Sequence, residues 1–245
     1  MKIISIVPAR GGSKGIPLKN LRLLNGKHLL DYSVEASLKS KLINRTIVST
    51  DNYKIFRRAK QLGADVIQRP KQLATDSASI ESVIIHSLDY LKKKEDYIPD
   101  IIVLLQNTSP LRTVKHIDEA IKIFLNSKYD SMLSGYNSHH FLWKIKNGKA
   151  VPINYNPKKR PNRQQINNQF VENGAIYITK YAALKENKCR ISGKIGIYEM
   201  PEGISVDIDT KSDLLNANQI IKKIRFEIYG LKVFILIRII SWICA

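Results

Sequence analysis

Short apolar runs alternate with helical spacing along the first half of the chain, and no other feature limits the fold so strongly. Residues 2–7, 45–49, 64–67 and 100–105 read as strands, rich in β-branched residues and too short for helices. Between them, 28–42, 52–62 and 77–94 carry helical spacing. In the last, Ile80, Val83, Ile84, Ser87, Leu88 and Leu91 fall on one face. A further helix is predicted over 114–127, with Thr113 as its N-cap, leading into a strand at 131–135. Strands apolar on both faces need cover on both, and helices between them supply it. The fold class expected is therefore α/β: a parallel-type sheet flanked by helices and joined by right-handed crossovers.

The rhythm fails between about 137 and 170, where Asn154, Asn156, Pro157, Pro161, Asn162, Arg163 and Gln164 crowd together. A structureless loop of that length does not belong in a compact domain unless it has a task. It reads as an arm or small β insertion reaching a second subunit. Order resumes with a strand at Gly174-Ala-Ile-Tyr-Ile178, and a closing helix begins near Thr210. With 245 residues the chain fits one domain, taken as 1–225, followed by a hydrophobic tail at 226–245. That tail is broken by Glu227, Lys232 and Arg238, and basic residues precede it. It suits an interfacial membrane contact, a packed or disordered segment or, less well because of Arg238, a membrane span.

The net charge of +19 suits a polyanionic partner. The basic residues are scattered without interleaved aromatics, which favours a generally basic surface over a nucleic-acid footprint. Two cysteines, Cys189 and Cys244, make neither a disulfide framework nor a zinc site. The amino terminus lacks a signal peptide's long apolar region, and a reducing cytoplasm fits.

The first strand stops at Pro8 and opens into a loop with three glycines and the cations Arg10, Lys14 and Lys19. Glycine lets backbone N–H groups approach a ligand, and cations offset phosphate charge. GGSKG has neither P-loop spacing nor G-x-G-x-x-G, so by itself it is either a triphosphate site or a solvated basic turn. Asp207 and Asp209 stand two apart, so in an extended segment both carboxylates face one way and can share one divalent cation. Alternatively, Asp209 or Thr210 caps the following helix. Asp51 ends one strand, where it is either a ligand contact or a helix cap. Gln106 and Asn107 end another, a position where uncharged amides suit a base or sugar. Arg69 is either a ligand contact or a salt-bridged loop residue. Scattered histidines and the absence of a nucleophile elbow leave zinc and covalent catalysis without support. Phosphoryl or nucleotidyl transfer remains, driven by positioning and charge neutralisation.

Six blocks in order then resemble the acylneuraminate cytidylyltransferases, also called CMP-sialic acid synthetases. They are Arg10-Gly-Gly-Ser-Lys-Gly-Ile-Pro-Leu-Lys-Asn20, Val48-Ser-Thr-Asp51, Arg69-Pro-Lys-Gln-Leu-Ala-Thr-Asp-Ser-Ala78, Leu104-Leu-Gln-Asn-Thr-Ser-Pro-Leu-Arg112, Asn173-Gly-Ala-Ile-Tyr-Ile178 and Ser205-Val-Asp-Ile-Asp-Thr210. The resemblance implies a mononucleotide-binding α/β fold and a homodimer whose arm completes the partner's site. It implies that CTP and a nine-carbon 2-keto sugar acid, a nonulosonate, give a CMP-sugar and pyrophosphate. Arg10, Ser13, Lys14 and Lys19 would then neutralise the triphosphate, and Asn20 and Arg69 would hold the cytidine. Asp207 and Asp209 would hold Mg²⁺. Gln106 and Asn173 would face the sugar acid, and Arg163 of the arm would meet its carboxylate from the second subunit.

Three departures from the family pattern fall on the sugar side. Trp143 stands at an arm position often held by lysine, with Lys144 beside it. Val171-Glu172 replaces a common Arg-Pro, and Cys189-Arg190 replaces aromatics. The particular acid therefore stays open, and an eight-carbon acid such as Kdo is the enzymatic alternative. A basic nucleic-acid or membrane-surface binding protein without catalysis is the alternative from another class.

Overall fold

The computed structural model describes residues 1–166 and 168–226. In chain order the strands and helices are β1 (Ile3–Pro8), β2 (Leu23–Leu24), β3 (Lys27–His28), α1 (Leu29–Leu38), β4 (Arg45–Thr50), α2 (Tyr53–Gln61), β5 (Asp65–Gln68), α3 (Ile80–Glu95), β6 (Ile101–Leu105) and α4 (Val114–Leu125). They continue with β7 (Ser131–Asn137), β8 (Trp143–Lys146), β9 (Lys149–Pro152), β10 (Phe170–Lys180), α5 (Tyr181–Asn187) and β11 (Ile195–Glu199). A helix over 211–226, α6, closes the described chain.

One seven-stranded sheet runs β11-β7-β10-β6-β1-β4-β5. Its centre is parallel, as the alternation predicts: β1 lies between β4 and β6 with both pairings parallel. The exception is β10, antiparallel to both β6 and β7. The reason is its connection. A helix crossover returns a strand parallel, but β7 reaches β10 through the arm, whose ends meet where Asn137 pairs with Phe170. A connection that leaves and returns at one end of the sheet makes the strand pair antiparallel.

Both faces are covered. Ile3 and Val7 of β1 belong to the core beneath α1, α2 and α4, while Ile4 and Ile6 pack with Ile84, Leu88 and Leu91 of α3. The periodicity read for α3 holds, since Val83, Ile84, Ser87, Leu88 and Leu91 are its buried residues. Thr113 caps α4 as predicted, its side chain accepting from the His116 N–H. A third, smaller core joins Ile16 of the first loop, Leu24, Leu29, Leu111, Ile208 and, from α6, Ala217 and Ile221. That cluster pins the loop after β1 to the segment carrying Asp207 and Asp209.

Within 137–170, β8 and β9 pair as a small antiparallel hairpin, the β insertion expected there. Among the described residues no helix is long and apolar enough to cross a membrane. The tail assigned to 226–245 lies beyond the described residues except for Phe226.

Candidate active site

A cavity of about 630 Å³ opens at the carboxyl ends of the central strands. The loop after β1 contributes Arg10, Ser13, Lys14, Lys19 and Asn20. The end of β5 contributes Arg69, the end of β6 Gln106 and Asn107, and the segment before α6 Asp207 and Asp209. The fold thus brings together residues separated by nearly the whole chain.

The loop is anchored at both ends. Asp51 accepts a hydrogen bond from the Gly11 N–H at 2.9 Å. The helix cap beside it is Asn52, whose side chain accepts from Lys54 and Ile55 N–H groups, so Asp51 serves the loop and not α2. Asn20, nearly buried, donates from Nδ2 to the Arg10 carbonyl at 2.9 Å, tying the loop's exit to its entrance. Gly15 presses so close to the other wall that a Cβ there would lie 2.3 Å from the Asp209 carbonyl oxygen. Only glycine permits that approach.

Lys19 bridges the two walls. Its Nζ donates to the Ile208 carbonyl and to Asp209 Oδ1, each at 2.8 Å. Ile208 is fully buried in the small core, while Asp207 and Asp209 on either side are exposed and line the cavity. Both aspartates therefore line one cavity, with the residue between them turned into the core. The helix cap falls to Thr210, whose hydroxyl accepts from the Asp213 N–H while the Asp213 carboxylate accepts from the N–H groups of Asp209 and Thr210. Those N–H bonds hold the Asp213 carboxyl below its usual range. Capping thus uses neither cavity carboxylate, and Asp209 spends Oδ1 on Lys19.

Arg69 lies buried against β4, spending Nε and Nη2 on the Ser49 hydroxyl and carbonyl. Burial lowers its pKa to about 10, so it stays charged near neutral pH. Gln106 sits against the bulge in β10. Gly174 there has φ +70°, and a Cβ on it would lie 2.7 Å from Gln106 Oε1, so the glycine makes room for the amide. Behind this corner Arg112 is buried, with no carboxylate partner among the described residues. It donates to the carbonyls of Gln106 and Ala175 and to the Ser33 hydroxyl. Sequence reasoning passed over that residue, although its place in the Leu104–Arg112 block was visible.

Asn173 and Arg163 lie apart from the residues lining the cavity. Asn173 does not line the cavity. The bulge turns it inward, where Oδ1 accepts from the Ser134 hydroxyl and Ala175 N–H, and Nδ2 donates to the Ser205 hydroxyl. The buried amide so engaged braces the segment that leads to Asp207. Arg163 lies in a short 3₁₀ turn of the arm and is not among the residues lining its own chain's cavity. Sequence reasoning missed Asp76, which sits on the cavity wall and bonds to both Arg10 and Lys14. A lone acid in a Thr-Asp-Ser turn carries no periodic signal.

A family model described as cytidylyltransferase matches residues 4–234. The chain belongs to the cytidylyltransferase family. Similar curated proteins include N-acylneuraminate cytidylyltransferase A of Danio rerio, 36% identical over 93% of this chain and 52% of that protein. The N-acylneuraminate cytidylyltransferase of Escherichia coli O18:K1:H7 is 35% identical over 86% of this chain and 50% of its own length. The chain therefore spans about half the length of the curated relatives it matches. Among solved structures, a CMP:2-keto-3-deoxy-manno-octonic acid synthetase complexed with CTP superposes with a TM-score of 0.67 at 16% identity, covering 91% of this chain and 99% of that one. A 4-diphosphocytidyl-2C-methyl-D-erythritol synthase superposes at 0.68 with 9% identity, covering 90% of this chain and 98% of the other. At such identities the likeness concerns the fold.

Proposed function

We propose that this chain transfers CMP from CTP to the anomeric hydroxyl of a nonulosonate, a nine-carbon 2-keto sugar acid, releasing pyrophosphate. The observation that carries the reading is the Lys19 bridge: one ammonium ties the cationic loop to the aspartate pair across a single cavity. An anionic acid must meet an anionic triphosphate there, and a dense positive loop with a paired-carboxylate wall suits that encounter. The names of the relatives, N-acylneuraminate cytidylyltransferases, support the acid's class.

In this reading Arg10, Ser13, Lys14 and Lys19 receive the triphosphate, while Asn20 and Arg69 hold the cytidine. Gln106, propped by Gly174, faces the sugar acid. Asp207 and Asp209 fit Mg²⁺: two hard oxygen donors face one way, and among the described residues no third histidine, cysteine or acid joins them in a closed cage. Such an open donor set suits an ion that keeps positions for phosphate oxygens. When bound, the ion would supply charge neutralisation at the phosphates. The sugar hydroxyl attacks the α-phosphorus, and the loop cations take up the charge that builds on the departing pyrophosphate.

The arm supports a second subunit. Leu142, Trp143, Ile145 and Ile153 stand exposed on it. Phe141, Trp143 and Tyr155 cluster there, with Arg160 stacked 4.2 Å from the Phe141 ring centroid. An apolar patch of this kind is an interface in search of cover. In the homodimer, Arg163 would reach the partner's sugar carboxylate. The test is product identity: mass spectrometry of a reaction with CTP and N-acetylneuraminate should show a CMP-linked acid, and ATP or GTP should give none. A nucleotide-linked product from every nucleotide, or from none, would overturn the reading.

A further inference from the structure

Each cation of the first loop already has a partner within the protein. Lys19 is held by Asp209, while among the described residues Asp76 alone serves the other two. One Asp76 oxygen lies 2.7 Å from Arg10 Nη2, the other 2.8 Å from Lys14 Nζ. A carboxylate presenting two oxygens to two cations does what two oxygens of a phosphate would do. Asp76 lines the same cavity, and its side chain is 46% exposed, so it is not locked away in the core. Among the described residues no group of three or more metal-ligating side chains forms, so Asp76 does not join Asp207 and Asp209 as one metal cage. It stands on the turn that leads into α3, where short-range hydrogen bonds join Gln72, Thr75, Ser77 and Ala78.

We propose that Asp76 is an internal counter-anion that competes with phosphate oxygens for Arg10 and Lys14, and so sets how tightly the site holds pyrophosphate. The inference rests on the nucleotidyl-transfer reading above and adds a positioning residue to it. Before a triphosphate enters, Asp76 keeps the guanidinium and the ammonium aimed at one point, limiting their reorganisation. When a triphosphate enters, its oxygens take over the two cations and Asp76 is displaced. After transfer, the returning carboxylate weakens the grip on the leaving group. Without such a competitor, Arg10 and Lys14 would hold pyrophosphate tightly and slow its departure.

The experiment measures binding and not turnover. Inorganic pyrophosphate is titrated calorimetrically, without metal, into the wild-type chain and into Asp76→Asn and Asp76→Glu, each checked for folding by circular dichroism. Asp76→Asn should bind pyrophosphate about five- to twentyfold more tightly, with a steeper salt dependence, because two cations lose their internal partner. Asp76→Glu, which keeps the charge, should stay near wild type. Unchanged or weaker binding by Asp76→Asn would overturn the proposal, and so would an absence of pyrophosphate binding by all three proteins. If the tightening is seen but no CMP-sugar forms with any acid, Asp76 keeps this role and the assigned reaction is what fails.

Discussion

Lys19 shows how much one side chain decides. Its aliphatic stem is mostly covered, its ammonium joins two chain segments 190 positions apart, and its target is an acid with open positions. Lys19→Ala should therefore lower kcat/KM by roughly a hundredfold or more while leaving the fold intact, since losing one preorganised charge at a reacting phosphate costs about 2.7–4 kcal/mol of transition-state stabilisation. Steady-state kinetics beside circular dichroism would check this. A complementary change is Gly15→Ala. Its Cβ has nowhere to go but into the Asp209 carbonyl, so the loop must lift from the aspartate wall. We expect turnover to fall about tenfold or more with only a modest shift in thermal midpoint, because misplacement of about an ångström is costly in an active site. The sequence showed the cations and the glycines but not their partners. Asp51, Asp76 and Arg112 are single polar residues, and only the folded chain says which loop or carbonyl each one meets.

At the level of elements, periodic patterns were legible and unpatterned ones were not. Strands β1, β4, β5 and β6 and helices α1 to α4 follow from apolar spacing, because each must bury a face. The β2–β3 hairpin was passed over, although Asn25-Gly26 at its turn is a recognisable signal, with φ values of 50° and 83°. Edge strand β11 alternates exposed and buried residues over five positions and was overlooked as well. The antiparallel run of β10 depends on where the arm returns, which no local pattern records. The N-terminus of α6 offers a test of element-scale electrostatics. The Asp213 carboxyl titrates below its usual range, so its contribution is present above about pH 4 and is lost as pH falls through the lowered value. The difference in thermal midpoint between wild type and Asp213→Ala should thus be full at neutral pH and close in acid. A gap that widened in acid would contradict the capping geometry.

For the molecule as a whole, three packed regions divide the work. The two cores on either face of the sheet give the platform, and the small third core fastens the cationic loop to the aspartate segment. The arm stands outside all three and exposes apolar surface. If it completes a second subunit's site, then Arg163→Ala and Lys19→Ala carry their lesions in different halves of each composite site. Mixing the two inactive variants under exchange conditions should restore up to about a quarter of wild-type activity, since a quarter of the sites would be intact under the two-fold symmetry usual for dimers. No recovery would place Arg163 outside the partner's site.

The proposed joining of CTP to a nonulosonate in one cavity is read out by pyrophosphate release from CTP with a panel of nonulosonates and Kdo, each with and without Mg²⁺. Release should need Mg²⁺ and a nine-carbon acid, and should be lost in Asp209→Ala. Preference for Kdo would shift the acid while keeping the reaction, whereas no release with any acid, or release indifferent to Asp209, would rule out this cavity as the site of that reaction.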